Sequence, residues 1–252
     1  MNNKEALMDY VLRLADNNLI LGQRLSEWCG HAPELETDIA LTNIALDLIG
    51  QSRSLYQYAA ELEGKGRTED DMAYFRDCKD FKNVLLVEQP NEDFAYTIAR
   101  QFFFDVYNYL FYKELTKSKD ETLTAVAEKS LKEITYHLRF SSEWMIRLGD
   151  GTELSRNKIQ TAVDDLWDFI GEMTFTDGID EMLLAEGIAV DLNKIRQAYF
   201  DKVKEILNEA TLVCPKEEPF QKGGKQGRHS EYLGHILAEM QWMQRAYPGA
   251  EW

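Results

Sequence analysis

The stretch "FAYTIARQFFFDVYNYLFYKELTKSKD", residues 94–120, decides the fold. Up to Tyr112 it is apolar or aromatic on nearly every side of a helical projection and contains no proline, so it reads as a helix over about 92–117 buried on most of its surface. It then breaks at Ser118-Lys119-Asp120 and resumes as a second periodic segment, about 121–148. A connection this short makes the two helices antiparallel neighbours. The same pattern stands upstream, where "GHAPE" (30–34) joins helices expected at about 4–29 and 35–63.

Two such hairpins joined by a longer crossover through about 64–91 give the all-α, ferritin-like four-helix bundle. All five prolines (Pro33, Pro90, Pro215, Pro219, Pro248) fall at the edges of periodic segments, as helices require. Further helices are expected at about 155–173, 191–211 and 230–246, the last two separated by the Pro-, Gly- and Lys-rich loop "CPKEEPFQKGGKQGRHS" (214–230). No linker or shift of composition divides the chain, so one ferritin-like domain over 1–252 is expected, with a bundle core at about 4–148 and accessory helices at about 155–246. A four-helix bundle exposes the outer side of each helix, so the aromatic helix needs a further cover from the accessory helices or another chain.

Composition excludes several partners. The formal charge of −16 opposes nucleic acid and anionic membranes alike. Acidic residues (Glu5, Asp9, Asp16, Glu27) interrupt the first thirty positions, so no signal or membrane-spanning run is read there and a cytoplasmic location is expected. Cys29, Cys78 and Cys214 lie far apart without CxxC spacing and read as free thiols on small buried side chains.

A di-metal site in such a bundle takes one Glu from each of two helices and a Glu-x-x-His pair from each of the others. Reflecting each hairpin about its turn sets Asp16 opposite Asp47 and Asp105 opposite Glu133. The first three sit in apolar sequence ("LRLADNNLIL", "IALDLIG", "FFFDVY"), where a lone charge is costly to bury. Where the histidines should follow, however, stand Gly50 and Tyr136. In "KEITYHLRFSSEW" (132–144) His137 comes one position late, and Glu231 with His235 forms another i, i+4 pair on the last helix. The pattern is that of a vestigial di-metal site (Asp16, Asp47, Gly50, Asp105, Glu133, Tyr136, with His137 nearby). Its acids would be held by hydrogen bonds from Arg13, Arg53, Arg100, Arg139, Tyr136 or His137 instead of metal. No catalytic, cofactor-binding or metal-ligating residue is then assigned. The competing reading is an active di-metal carboxylate oxidase or oxygenase that uses an oxygen-rich ligand set.

Four strings carry a resemblance: residues 21–62 ("LGQRLSEWCGHAPELETDIALTNIALDLIGQSRSLYQYAAEL"), 85–112 ("LLVEQPNEDFAYTIARQFFFDVYNYLFY"), 132–144 and 227–252 ("GRHSEYLGHILAEMQWMQRAYPGAEW"). Together they resemble the C subunits (PaaC) of bacterial phenylacetyl-CoA 1,2-epoxidases, over about residue 8 to the end. The resemblance implies phenylacetate catabolism by an NADPH- and O2-dependent monooxygenase complex. It implies a catalytic A subunit with a di-iron centre, a bridging B subunit, and a reductase carrying FAD and [2Fe-2S]. For this chain it implies a non-catalytic structural subunit without cofactors, paired with A, and prone to self-association when alone.

Overall fold

The computed structural model describes residues 2–250. Among these the chain is all-α: α1 (Asn3–Ser26), α2 (Leu35–Glu63), α3 (Glu69–Tyr74), α4 (Leu85–Glu88), α5 (Phe94–Leu115), α6 (Glu121–Gly149), α7 (Glu153–Leu166), α8 (Gly178–Ala185), α9 (Leu192–Glu209) and α10 (Glu231–Ala246). The four long helices form the two hairpins of the ferritin-like plan, with additional helices after them. They belong to two compact units, residues 2–89 with 223–250, and residues 90–222. The final helix therefore belongs with the first hairpin rather than with the other accessory helices.

Local chemistry sets the helix ends. The Asp93 and Asp120 carboxylates accept from Tyr96 N at 3.0 Å and Leu123 N at 2.8 Å, capping α5 and α6. Gly64, at φ 72°, ends α2 in a left-handed conformation that side chains disfavour. The helix expected over 155–173 is α-helical only to Leu166 and continues as a 3-10 helix, Trp167–Thr174. Short helices α3, α4 and α8, absent from the sequence reading, occupy parts of the chain without sustained periodicity.

In the first unit, α1 and α2 run antiparallel, with Ser52 Oγ donating to Ala15 O at 2.9 Å and Asn18 Nδ2 to Gln51 Oε1 at 3.4 Å. Gly22 faces the Ala45–Ile49 stretch, where an added Cβ would lie 3.0 Å from Ile49 Cγ1. These pairings place α2 about one turn out of the register that a symmetrical turn predicts. The connection runs on past the end of α1, so the first two turns of α2, about 10 Å, overhang it. Leu35 (72% exposed) and Ile39 (51%) lie on that overhang. Helices α3, α4 and α10 pack around the hairpin.

In the second unit, α5 is buried along most of its length, as its aromatic sequence requires, and its further cover is α7 and α9 beside α6. One stripe of α6 is buried, from Leu123 through Ala127, Ser130, Ile134 and His137 to Ser141. Gly149, where α6 ends, lies against the Ala210 backbone so closely that a Cβ would sit 2.1 Å from Ala210 O. The three cysteines are free, but Cys29 is exposed and Cys78 and Cys214 are half-buried, so they are not the small core side chains expected.

Gly149→Ala should force α6 and the end of α9 apart and cost about 1–3 kcal/mol, the usual range for overpacking. Urea denaturation followed by circular dichroism measures this.

Candidate functional site: two buried carboxylate networks

Each unit buries one aspartate completely, Asp16 in the first and Asp105 in the second. Asp16 lies on the inner face of α1. Tyr56, from α2, donates its hydroxyl to Asp16 Oδ1 at 2.5 Å, and Arg76 Nη2 donates to the same oxygen. Arg76 Nη1 reaches Oδ2 at 3.0 Å, and the Lys82 backbone N–H completes the set at 2.7 Å. These four donors fill the four lone-pair positions of an ionised carboxylate.

The guanidinium is held as firmly as its partner. It donates to the Met72 and Asp80 carbonyls and stacks over the Phe81 ring with 4.2 Å to the centroid. From α10, Gln241 Nε2 donates to the Ala73 and Arg76 carbonyls, and Arg245 Nη2 to the Arg76 carbonyl at 2.8 Å. Burial works against the charge on Arg76, but the neighbouring Asp16 more than restores it, so its pKa stands above the ordinary arginine value. Burial first, then the Asp16 charge, pushes the Tyr56 hydroxyl well above its usual range.

A second buried pair lies in the same unit. Glu88 is fully buried, and His229 places Nδ1 3.5 Å from Glu88 Oε1 while Nε2 meets the Phe81 carbonyl at 2.9 Å. Burial raises the Glu88 carboxyl. For His229 burial lowers the pKa, but the bonds to Glu88 and Phe81 outweigh it and the net shift is upward.

Asp105 is held more sparsely. Gln101 Nε2 donates to Oδ1 and Ser141 Oγ to Oδ2, both at 2.7 Å, and the buried His137 imidazole adds a favourable charge interaction. Burial dominates these effects and pushes the carboxyl up to about 7.

The arrangement departs from the mirrored ligand set. Asp16 is level with Gln51 and Ser52, not Asp47, and Asp105 bonds Ser141, two turns beyond Glu133. A symmetrical reflection ignores the run-on of each connection and the lean of helical side chains toward the N-terminus of their own helix. Asp47 and Glu133 are half-buried on the flanks of the buried stripes, while Gly50 and Tyr136 are exposed. Of the suggested arginine partners, Arg13 bonds Asp9, Arg53 bonds Glu69, Arg100 bonds Pro90 O and Asn91, and Arg139 lies over the Tyr136 ring. Glu231 and His235 are both exposed on α10.

These residues do not fit a di-metal centre. Asp16 has no lone pair to offer, Asp105 has one nearby imidazole, and among the described residues no three His, Cys, Asp or Glu side chains converge as metal ligands. Sequence reading missed Arg76, Glu88 and His229. Arg76 carried a faint signal in "AYFRDCKDF" (73–81), a basic residue between aromatics in the crossover.

The fold is that of an all-helical, ferritin-like protein with extra helices, whose buried acids are held by the chain's own hydrogen-bond donors. The chain belongs to the family described as phenylacetic acid catabolic protein, whose profile matches residues 1–252. It is 52% identical over 246 residues, 98% of this chain and 99% of the relative, to a protein of Escherichia coli (strain K12) named as the C subunit of 1,2-phenylacetyl-CoA epoxidase.

Arg76→Met should leave Asp16 buried without its counter-ion and cost about 3–5 kcal/mol, whereas Tyr56→Phe removes one donor and should cost about 1–3 kcal/mol. Chemical denaturation of both variants reads the difference. Asp105 gives a pH signature: a carboxyl raised to about 7 binds its proton more tightly in the folded chain than in the unfolded one. Its contribution is therefore full below pH ~4 and is lost as pH rises toward ~7, an effect of about 4 kcal/mol at most. The urea midpoint of Asp105→Asn should fall less between pH 5 and 8 than that of the parent chain.

Proposed function

We propose that this chain is the structural C subunit of a 1,2-phenylacetyl-CoA epoxidase, without a catalytic centre of its own, acting in phenylacetate catabolism by stabilising a catalytic A subunit. The observation that carries this reading is the 52% identity, over nearly the whole of both chains, to a protein named as that subunit. The saturated Asp16 carboxylate supports the non-catalytic part, because a metal would have to displace Arg76, Tyr56 and a backbone N–H from it. In this reading the di-iron, FAD, [2Fe-2S] and NADPH chemistry belongs to the A and reductase subunits, and a B subunit bridges. No helix among the described residues is long and apolar enough to cross a membrane. A cytoplasmic location is part of the proposal.

Subunit pairing needs apolar surface, and large apolar side chains are exposed where a partner helix could cover them. On α2 these are Leu35, Ile39 and Leu46 (61% exposed), on one helical face with the exposed Gly50. On α10 they are Trp242 (60%) and, just beyond, Tyr247 (56%); Trp252, the third aromatic of this region, lies outside the described residues. The uncovered chain should self-associate when expressed alone.

Metal analysis after expression in iron-supplemented medium, with and without the co-expressed catalytic partner, tests the assignment. The isolated chain should carry far less than one metal per chain, and iron should appear when the partner co-purifies. Stoichiometric metal on the isolated chain would instead support the active di-metal oxidase. Ile39→Asp and Leu46→Asp should reduce co-purification of the partner at least about tenfold while leaving helicity unchanged, since desolvating a charge within an apolar interface costs more than about 1.4 kcal/mol.

A further inference from the structure

In the second unit, the segment after α9 crosses back over the 3-10 helix as a strap. Gln160 holds one end by exchanging two bonds with Val213, Nε2 to the carbonyl at 3.0 Å and Oε1 from the N–H at 2.7 Å. Trp167 Nε1 donates to the Glu217 carbonyl at 2.7 Å, and the Gln221 N–H donates to the Asp168 carbonyl at 3.0 Å. Pro219 lies on Gly171 so closely that a Cβ there would be 2.8 Å from Pro219 O. Between this strap and α9 opens a cleft of about 600 Å³, within the range of small-molecule sites.

Its lining combines rings and cations. Trp167, Phe200 and Pro219 supply apolar surface, and Arg196, Lys204 and Lys216 supply positive charge. Arg196, Phe200 and Lys204 recur at intervals of four on one face of α9, so the backbone positions that carry the two cations stand about 12 Å apart with Phe200 between them. Arg196 lies over that ring, 5.2 Å from its centroid. Arg196 is partly engaged, Nη1 donating to Thr174 Oγ1 at 3.2 Å, and the two acids at the cleft are turned outward or back on the strap. The Glu217 carboxylate turns back to accept from the Lys216 N–H at 3.1 Å, and Glu218, 87% exposed, meets Arg196 at 3.4 Å. Lys204 and Lys216 form no ion pair among the described residues, in a chain with 44 acidic and 28 basic side chains. Three cations gathered around aromatic surface in so acidic a protein call for an anion that also carries a ring.

We propose that this cleft binds a phosphorylated nucleoside, its base against Phe200 and its phosphate groups reaching Arg196 at one end and Lys204 with Lys216 at the other. The same chemistry is offered by a free nucleotide and by the nucleotide end of a coenzyme A thioester. The site does not depend on the assignment as a structural subunit, since it is assembled within one unit of this chain.

Isothermal titration of the full chain with adenosine 3′,5′-bisphosphate, coenzyme A and unphosphorylated adenosine tests the proposal. One saturable site for at least one of the two phosphorylated ligands is expected, with none for adenosine. Comparable affinities would assign the site to the nucleotide end of coenzyme A, and clear preference for the bisphosphate would assign it to a free nucleotide. Lys204→Glu and Lys216→Glu alter exposed side chains outside the core, and each should weaken binding at least about tenfold, the loss of one charge-assisted contact. Binding should also weaken as salt is raised. No saturable binding of either phosphorylated ligand up to millimolar concentration, or binding that both charge reversals leave unchanged, overturns the proposal. The first of those results is what a cleft filled by an acidic segment of a partner would give.

Discussion

The ion pair between Asp16 and Arg76 is the constraint on which the first unit depends. Neither group is tolerable alone in the interior, because a buried charge without a partner costs several kcal/mol. Together they fix the positions of everything that supplies the remaining bonds: Tyr56 on α2, the Lys82 backbone, and the Met72 and Asp80 carbonyls. The crossover between the hairpins is thereby ordered without long helices of its own. A hydrophobic pair of equal volume would give comparable stability with less geometric demand. What the polar arrangement adds is a defined path for an irregular segment, with its carbonyls satisfied.

Asp105 shows the opposite solution to the same cost. With two neutral donors and an imidazole nearby, the carboxyl is held with its pKa near neutrality rather than as a firmly fixed anion. The two units thus meet the burial of an aspartate by different means, counter-ion in one and proton uptake in the other. Neither arrangement resembles the set of four converging carboxylates and two imidazoles that holds two metals in a catalytic bundle.

The long hairpins were legible in the sequence because their signals are local: apolar periodicity, short connections, and aspartate caps such as Asp93 and Asp120. The aromatic character of α5 correctly announced cover beyond the paired helix. What could not be read was height. A reflection about each turn has no means of knowing that the connection between α1 and α2 runs on before folding back, and an error of one turn exchanges Gln51 for Asp47 beside Asp16. The identity of the buried cation was hidden for a related reason. Arg76 is 60 residues from Asp16 in sequence, in a segment with no periodicity to betray which side faces inward. His229 was equally obscured, since it lies in a loop while the more conspicuous His235 sits exposed on a helix.

The return of α10 to the first hairpin has a consequence for how the chain acquires its structure. Residues 90–222 are continuous, so that unit has all its contacts available as soon as its own sequence has emerged during synthesis. The other unit is discontinuous: Gln241 and Arg245 must close loops of about 165 residues to reach the carbonyls around Arg76. Closing such loops is entropically expensive and slow. Connectivity thus lets the inserted unit complete its own contacts first, whereas the carbonyls of Ala73 and Arg76 gain their α10 donors only when the long loop closes. The Asp16–Arg76 pair can form from residues 16–82 alone, so what the late closure supplies is the donors to the Ala73 and Arg76 carbonyls, the last backbone groups of the crossover to be satisfied.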